Sequence, residues 1–259
     1  MVRFSKIILT LLILSFSFQA QAKNPPPGSG TSDIPANILI MLDTSGSMNS
    51  KLYSSVQVYY PLDVATDSAG NVYVLEYYNN RIKVFDSSGA YLRSFGSYGY
   101  GCNQWRYARQ FTIYNDQIYL VDLYNHRVLK LGLNGQCIQQ GATQMRYPTS
   151  IAVNSNYVFI GSTSNQIEAL NRGNLSQIGY QTLNRKDLNY AWGMSFNGAG
   201  NKLVVASHNK GYKNTNNNVV ELNVTGSRVS VAQKSSTAYG FGNGEFRNPT
   251  DAGYDSSGN

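Results

Sequence analysis

Asp43, Ser45 and Ser47 alternate in Asp43-Thr44-Ser45-Gly46-Ser47-Met48, directly after the run Asn37-Ile-Leu-Ile-Met-Leu42. Carboxylates and hydroxyls are hard oxygen donors, the kind that Mg2+ and similar divalent cations prefer in near-octahedral geometry, with waters and an open position retained. The apolar run before them has the form of a fully buried parallel strand. Gly46 lets the chain turn at the C-terminal end of that strand, where open α/β sheets bind ligands. Elsewhere reactive groups are sparse: the chain has two histidines, His126 and His208, and two cysteines, Cys102 and Cys137.

The elements around this motif begin with a leader. Residues 1–22 carry Arg3 and Lys6, then the apolar run Ile7 to Phe16, then Ala20-Gln21-Ala22. A charged start, a short apolar stretch and a small-x-small end predict a secretory signal peptide cleaved after Ala22. The apolar run is shorter than the ~20 residues a membrane span needs. The mature chain is therefore expected to be secreted, periplasmic or at the cell surface, with no membrane span. The net charge of +7 falls by two, to +5, when Arg3 and Lys6 leave, and what remains includes no basic run. Nucleic-acid binding needs a concentrated basic face, so no nucleic-acid partner is expected. Residues 23–36, KNPPPGSGTSDIPA, read as a linker, stiffened by three prolines and loosened by Gly-Ser-Gly.

From residue 57 onward the chain repeats itself. With Pro61 as anchor, later copies align at Ala108, Pro148, Ala191 and Pro249, and the residue before the anchor is Tyr60, Tyr107, Tyr147, Tyr190 and then Asn248. Three positions after the anchor the column is apolar: Val64, Phe111, Ile151, Met194, Ala252. In the first copy four strand-like runs, Leu62 to Thr66, Val72 to Glu76, Arg81 to Phe85 and Tyr91 to Phe95, are parted by Asp67-Ser-Ala-Gly70 and Asp86-Ser-Ser-Gly89. Asp, Ser and Gly favour turns, and Val, Ile, Tyr and Phe suit a pleated, half-buried surface. Four strands per repeat of about forty residues is the sequence form of a β-propeller blade. The expected fold over residues 57–259 is all-β, with four blades and the start of a fifth. A ring does not close on that count, so the chain reads as truncated at its C-terminus. Unpaired strand edges in such an array predict poor stability.

GNVYVLEYYNNRIKVFD, with DSSG after it and FGNGEFRNP before the last copy, resembles NHL repeats. That resemblance implies a propeller, commonly of six blades, whose faces bind protein, nucleic acid or small ligands. Asp43-Thr-Ser-Gly-Ser-Met48 resembles the first segment of the metal-ion-dependent adhesion site of von Willebrand factor A domains. By position, that resemblance assigns Asp43, Ser45 and Ser47 as ligands of Mg2+ or another divalent cation, and residues 37–56 as the first strand and metal loop of an α/β A domain. The propeller is then either inserted into an A domain that continues beyond Asn259, the favoured arrangement, or it follows a degenerate one. Leader, linker and PANILIMLDTSGSM also resemble the start of type IV pilus tip adhesins, although the repeats that follow depart from that family's order.

Within the repeats an even cysteine count in an exported chain suggests a Cys102–Cys137 disulfide, with two buried thiols as the alternative. His126 stands where the first copy has Asn80, which predicts a structural hydrogen bond. Arg81 and Arg127 share a column and are expected to brace neighbouring blades. Tyr77, Tyr78 and Tyr124 fall at turns, where Tyr supplies rigid contact area with a polar tip, and are the candidate ligand-binding residues. A propeller enzyme of lactonase or lyase type needs convergent His, Asp or Glu metal ligands. Asp63 and Asp251 recur in only some copies, so a non-enzymatic protein is expected. The expected function is adhesion or assembly, with a protein, cell-surface ligand or pilus subunit as partner.

Overall fold

Short polar turns cut the chain into strands that pair with their sequence neighbours. The computed structural model describes residues 57–208, 218–235 and 249–254, so the leader, the linker and Asp43, Ser45 and Ser47 lie outside the described residues. The first blade is β1 (Pro61–Thr66), β2 (Val72–Glu76), β3 (Arg81–Phe85) and β4 (Tyr91–Phe95). The second is β5 (Phe111–Tyr114), β6 (Gln117–Asp122), β7 (Arg127–Gly132) and β8 (Cys137–Ala142). The third is β9 (Pro148–Val153), β10 (Tyr157–Ser162), β11 (Ser164–Asn171) and β12 (Gln177–Thr182). The fourth is β13 (Ala191–Phe196), β14 (Lys202–Ser207), β15 (Asn218–Thr225) and β16 (Arg228–Lys234). Each sheet is an antiparallel meander, and no helix occurs among the described residues. The expected strands of the first blade recur with one change, β1 starting at Pro61, because proline is tolerated as the first residue of a strand.

The turns hold by side-chain capping. Asp67 accepts the N–H groups of Ala69 and Asn71 at 3.0 and 2.8 Å and the Tyr73 hydroxyl at 3.1 Å, and Asp86 repeats the amide pattern on Ser88 and Ala90. That bond and the Asp67 charge, together with burial as the larger cause, push the Tyr73 phenol up to about 12.

Middle strands are largely buried and apolar because neighbouring sheets pack face to face. The core is therefore a series of inter-blade layers. Tyr73, Leu75, Ile82 and Trp105 meet Ile118, Leu120 and Leu129 between the first two blades. Val121, Val128 and Met145 meet Ile151, Val158 and Leu170 between the second and third. Phe159, Ile167 and Ala169 meet Met194, Leu203 and Val205 between the third and fourth. Each Val, Leu, Ile, Phe or Met among them contributes about 1.5–3 kcal/mol on burial. The inner strands β1, β5, β9 and β13 lie side by side in that order. Residues 249–254 come next, against Gly193 and Ser195. A Cβ on Gly193 would stand 2.6 Å from the Thr250 carbonyl oxygen, so glycine is what lets that segment approach.

Candidate ligand-binding face

At the end of the propeller where the inner strands begin, one repeated arrangement fixes the backbone. The last residue of the second strand accepts the N–H two positions before the anchor: Glu76 from Tyr59 at 2.7 Å, Asp122 from Arg106 at 2.8 Å, and Ser207 from Asn189 at 3.0 Å. The third blade has Ser162 in this column, and Glu168 on β11 takes the Gln144 and Met145 amides instead. These acids are fully buried, and their titration follows their partners. Burial drives Glu76 up, but Arg81, the Tyr59 amide, Asn79 and Lys83 outweigh it and leave the carboxyl below its usual range. Burial prevails at Asp122, which has Arg127 alone as cation, and at Glu168, which has amides only; both are raised.

A second contact links the first blade to the second and the second to the third. Asn80 Oδ1 accepts the Tyr107 N–H at 2.6 Å, and His126 Nδ1 accepts the Tyr147 N–H at 3.0 Å. His126 thus has the structural hydrogen bond expected from its column. Tyr60, Tyr107 and Tyr147 all sit in the left-handed region, at φ 47, 56 and 53°. Bulky side chains rarely adopt that region. Arg81 pairs with Glu76 inside its own blade rather than across blades. Arg127 does brace a junction: besides Asp122 at 2.9 Å it donates to the carbonyls of Tyr100, Gly101 and Gln104 in the connection between the first two blades. The Cys102–Cys137 disulfide ties the same connection to β8.

The tyrosines form a continuous belt over this end. Ring centroids run Tyr60 to Tyr78 at 4.8 Å, Tyr78 to Tyr77 at 5.0 Å, Tyr77 to Tyr107 at 5.2 Å, Tyr107 to Tyr124 at 5.6 Å and Tyr124 to Tyr147 at 5.9 Å. Most contacts are edge-to-face, the favoured geometry for aromatic pairs. Tyr77, Tyr78 and Tyr124, singled out one by one in the sequence, therefore belong to one surface, and Tyr107 joins them. Tyr78 is 55% exposed and Tyr124 43% exposed, so the belt offers its rings to solvent. Two arginines that the sequence did not single out stand in it. The Arg106 guanidinium packs over Tyr98, Tyr100 and Tyr124 at 5.3, 5.2 and 5.9 Å. Arg109 lies 4.2 Å over Trp192, whose ring stacks on His208 at 4.6 Å and 7°. Burial holds Arg109 below the usual guanidinium range, partly offset by the Tyr77 hydroxyl hydrogen-bonded to it.

Further along the inner strands lies an open cavity of about 450 Å³ lined by Asp63, Gln110, Ser195 and Asp251 among others. Its side chains knit blades together. Asp63 accepts the N–H of Val64 at 2.9 Å and of Phe111 in the next blade at 2.8 Å. Gln110 Oε1 accepts from Ile151 at 2.8 Å and from Met194, two blades away, at 3.3 Å. Asp63 is raised well above its ordinary 3.8 by burial and then by the Asp251 charge. Asp251 is raised by the density of protein around it, although it keeps a face open to the cavity. No group of three or more His, Cys, Asp or Glu suited to a metal ion occurs among the described residues.

Meandering four-stranded blades whose inner strands stand side by side along a central cavity define a β-propeller. The family of 6-bladed beta-propellers, DUF5128, matches residues 54–190, and the chain belongs to it. The six blades implied by the repeat resemblance agree with that family. Among solved structures, hydrazine synthase of Kuenenia stuttgartiensis is similar, with 11% sequence identity and a TM-score of 0.54 over 71% of this chain and 52% of that one. The chain thus spans about half the length of that protein, and the likeness at this identity shows the fold alone. No curated protein matches the chain.

Proposed function

We propose that this chain is an exported, non-enzymatic adhesion or assembly protein that holds a protein or surface ligand on the tyrosine-covered face of its propeller. The observation that carries the reading is the belt itself: six tyrosines from three blades in one unbroken ring contact series. Tyr gives large, rigid contact area at little cost in side-chain entropy, which is why binding surfaces use it. The Cys102–Cys137 disulfide fits an oxidising compartment and hence export. Asp43, Ser45 and Ser47 supply a second, divalent-cation-dependent contact in this reading, and a pilus is one setting for it. The test is adhesion of the labelled full chain to cell surfaces, with and without a chelator. Tyr78→Ala/Tyr124→Ala should abolish most adhesion with an unchanged thermal melt, and Asp43→Ala should remove the Mg2+-dependent part. Wild-type adhesion by the tyrosine variant would overturn the reading; indifference to chelator and to Asp43→Ala would remove the metal from it.

A further inference from the structure

Charge on the tyrosine face is sorted by depth. Its acids Glu76, Asp122 and Glu168 are fully buried and are satisfied by amides, Arg81, Lys83 and Arg127. Arg106 and Arg109 are only partly buried, and among the described residues neither is ion-paired with a carboxylate. Each also keeps a buried Nε with no hydrogen-bond partner. Arg106 donates to the Tyr100 hydroxyl at 2.7 Å and feels the Asp122 charge from below, whereas Arg109 is the desolvated one and has no carboxylate beside it among the described residues. A desolvated guanidinium without a counter-charge is costly unless something completes it, and a planar carboxylate is the group its forked donors fit. Tyr124 connects the two cations: its ring lies under Arg106, and its hydroxyl is among the groups acting on Arg109. Around them the belt offers flat apolar rings, each carrying a hydroxyl that can donate or accept. A ligand that answers all of this has carboxylates, apolar ring faces and many hydroxyls.

We infer that this face binds an acidic polysaccharide, with Arg106 and Arg109 pairing uronate carboxylates and Tyr77, Tyr78, Tyr107 and Tyr124 covering the sugar rings. The inference rests on the adhesive reading of the face and names its ligand. An acidic peptide brings the carboxylates without the ring faces. A nucleic acid brings phosphates, but two arginines are a small basic footprint for a polyanion of that charge density.

The experiment is calorimetric titration of the full chain with an oligogalacturonate, its methyl ester and a polyglutamate peptide. The ester keeps the rings and hydroxyls and removes the charge. The oligogalacturonate should bind, weakening as salt rises. The ester and the Arg109→Met variant should each bind about tenfold to a hundredfold more weakly, the loss expected of a charge-assisted hydrogen-bonded pair. Arg106→Met provides the same readout where Arg109→Met melts early. Absence of uronate binding, equal binding of acid and ester, or equal binding of polyglutamate would overturn the inference. If Tyr78→Ala/Tyr124→Ala abolishes surface adhesion while no uronate binds, the glycan assignment falls and the adhesive face stands. If that variant leaves adhesion intact, both fall.

Discussion

Removing the Cys102–Cys137 bond should lower stability by an amount that its loop length sets. The cysteines are 35 residues apart, with Cα atoms 5.5 Å apart, and they join the connection after the first blade to the outermost strand of the second. In the chain-entropy view a cross-link acts mainly by restricting the unfolded chain, and a loop of this size is worth about 4 kcal/mol. The native side should change little. Arg127 holds the same connection through the Tyr100, Gly101 and Gln104 carbonyls, and Trp105 anchors it in the core with 0% exposure. The double variant Cys102→Ser/Cys137→Ser should therefore keep its fold and lose about 4 kcal/mol in denaturant unfolding, with a slightly larger m-value because the unlinked chain exposes more surface. At roughly 2–4 °C per kcal/mol for a domain of this size, the melting midpoint should fall by about 8–16 °C. Cys137 is exposed, so a reductant added to the wild type should reproduce the shift. A loss below about 1 kcal/mol would refute the reasoning, because the cross-link would then not restrict the unfolded chain.

Two further perturbations test the interior. Asp63 and Asp251 are both raised in the folded state, so between the ordinary 3.8 and their raised values the folded chain holds more protons than the unfolded one. Their contribution to stability is therefore greatest below 3.8 and is lost as pH rises through that window. Asp251→Asn keeps an oxygen for the Ala252 amide and removes the charge facing Asp63, so it should be more stable than wild type at neutral pH, with a shallower pH slope in urea melts; parallel slopes would count against the coupling. His126 has φ 53° and accepts the Tyr147 amide, a place that Asn80 fills in the preceding blade at φ 49°. His126→Asn should be neutral or stabilising, since Asn tolerates that region, whereas His126→Leu should cost about 1 kcal/mol for the lost exposed hydrogen bond and the strain; equal melts for the two would sink the assignment.

Blade architecture was legible because its determinants are local. Asp67-Ser-Ala-Gly70 and Asp86-Ser-Ser-Gly89 cap their own turns, and the apolar runs between them are the buried middle strands. The disulfide followed from an even cysteine count and the leader expected over residues 1–22. The equivalence of His126 with Asn80 followed from alignment of the repeats. Arg109 could not be read in this way: its column holds Leu62, Thr149, Trp192 and Thr250 in the other copies, and its contact with Trp192 spans two blades. Gln110 reaching Met194 across 84 residues is equally invisible to a repeat, since a column records what copies share and not what faces it over the axis. Its neighbours in that column, Asp63, Ser150, Gly193 and Asp251, were the available signal: a position next to the axis that changes type from blade to blade.

The left-handed tyrosines show how the scaffold and the aromatic face depend on each other. A non-glycine residue in that region costs of order 1–3 kcal/mol, and Tyr60, Tyr107 and Tyr147 each bear it while Tyr190 does not. The backbone contacts made there, Tyr77 N–H to the Tyr60 carbonyl and the Tyr107 and Tyr147 amides to Asn80 and His126, use no part of a phenol ring. Asn or Gly would satisfy the same contacts with less strain. The ring must therefore return something that the backbone does not need. Within the fold it returns contact with Tyr77, Tyr78 and Tyr124 from the turns, which joins three blades into one aromatic surface. The clasp that locks the first blade to the second and the second to the third thus also places a tyrosine in the aromatic surface, so one column serves both the packing of blades and the continuity of the rings.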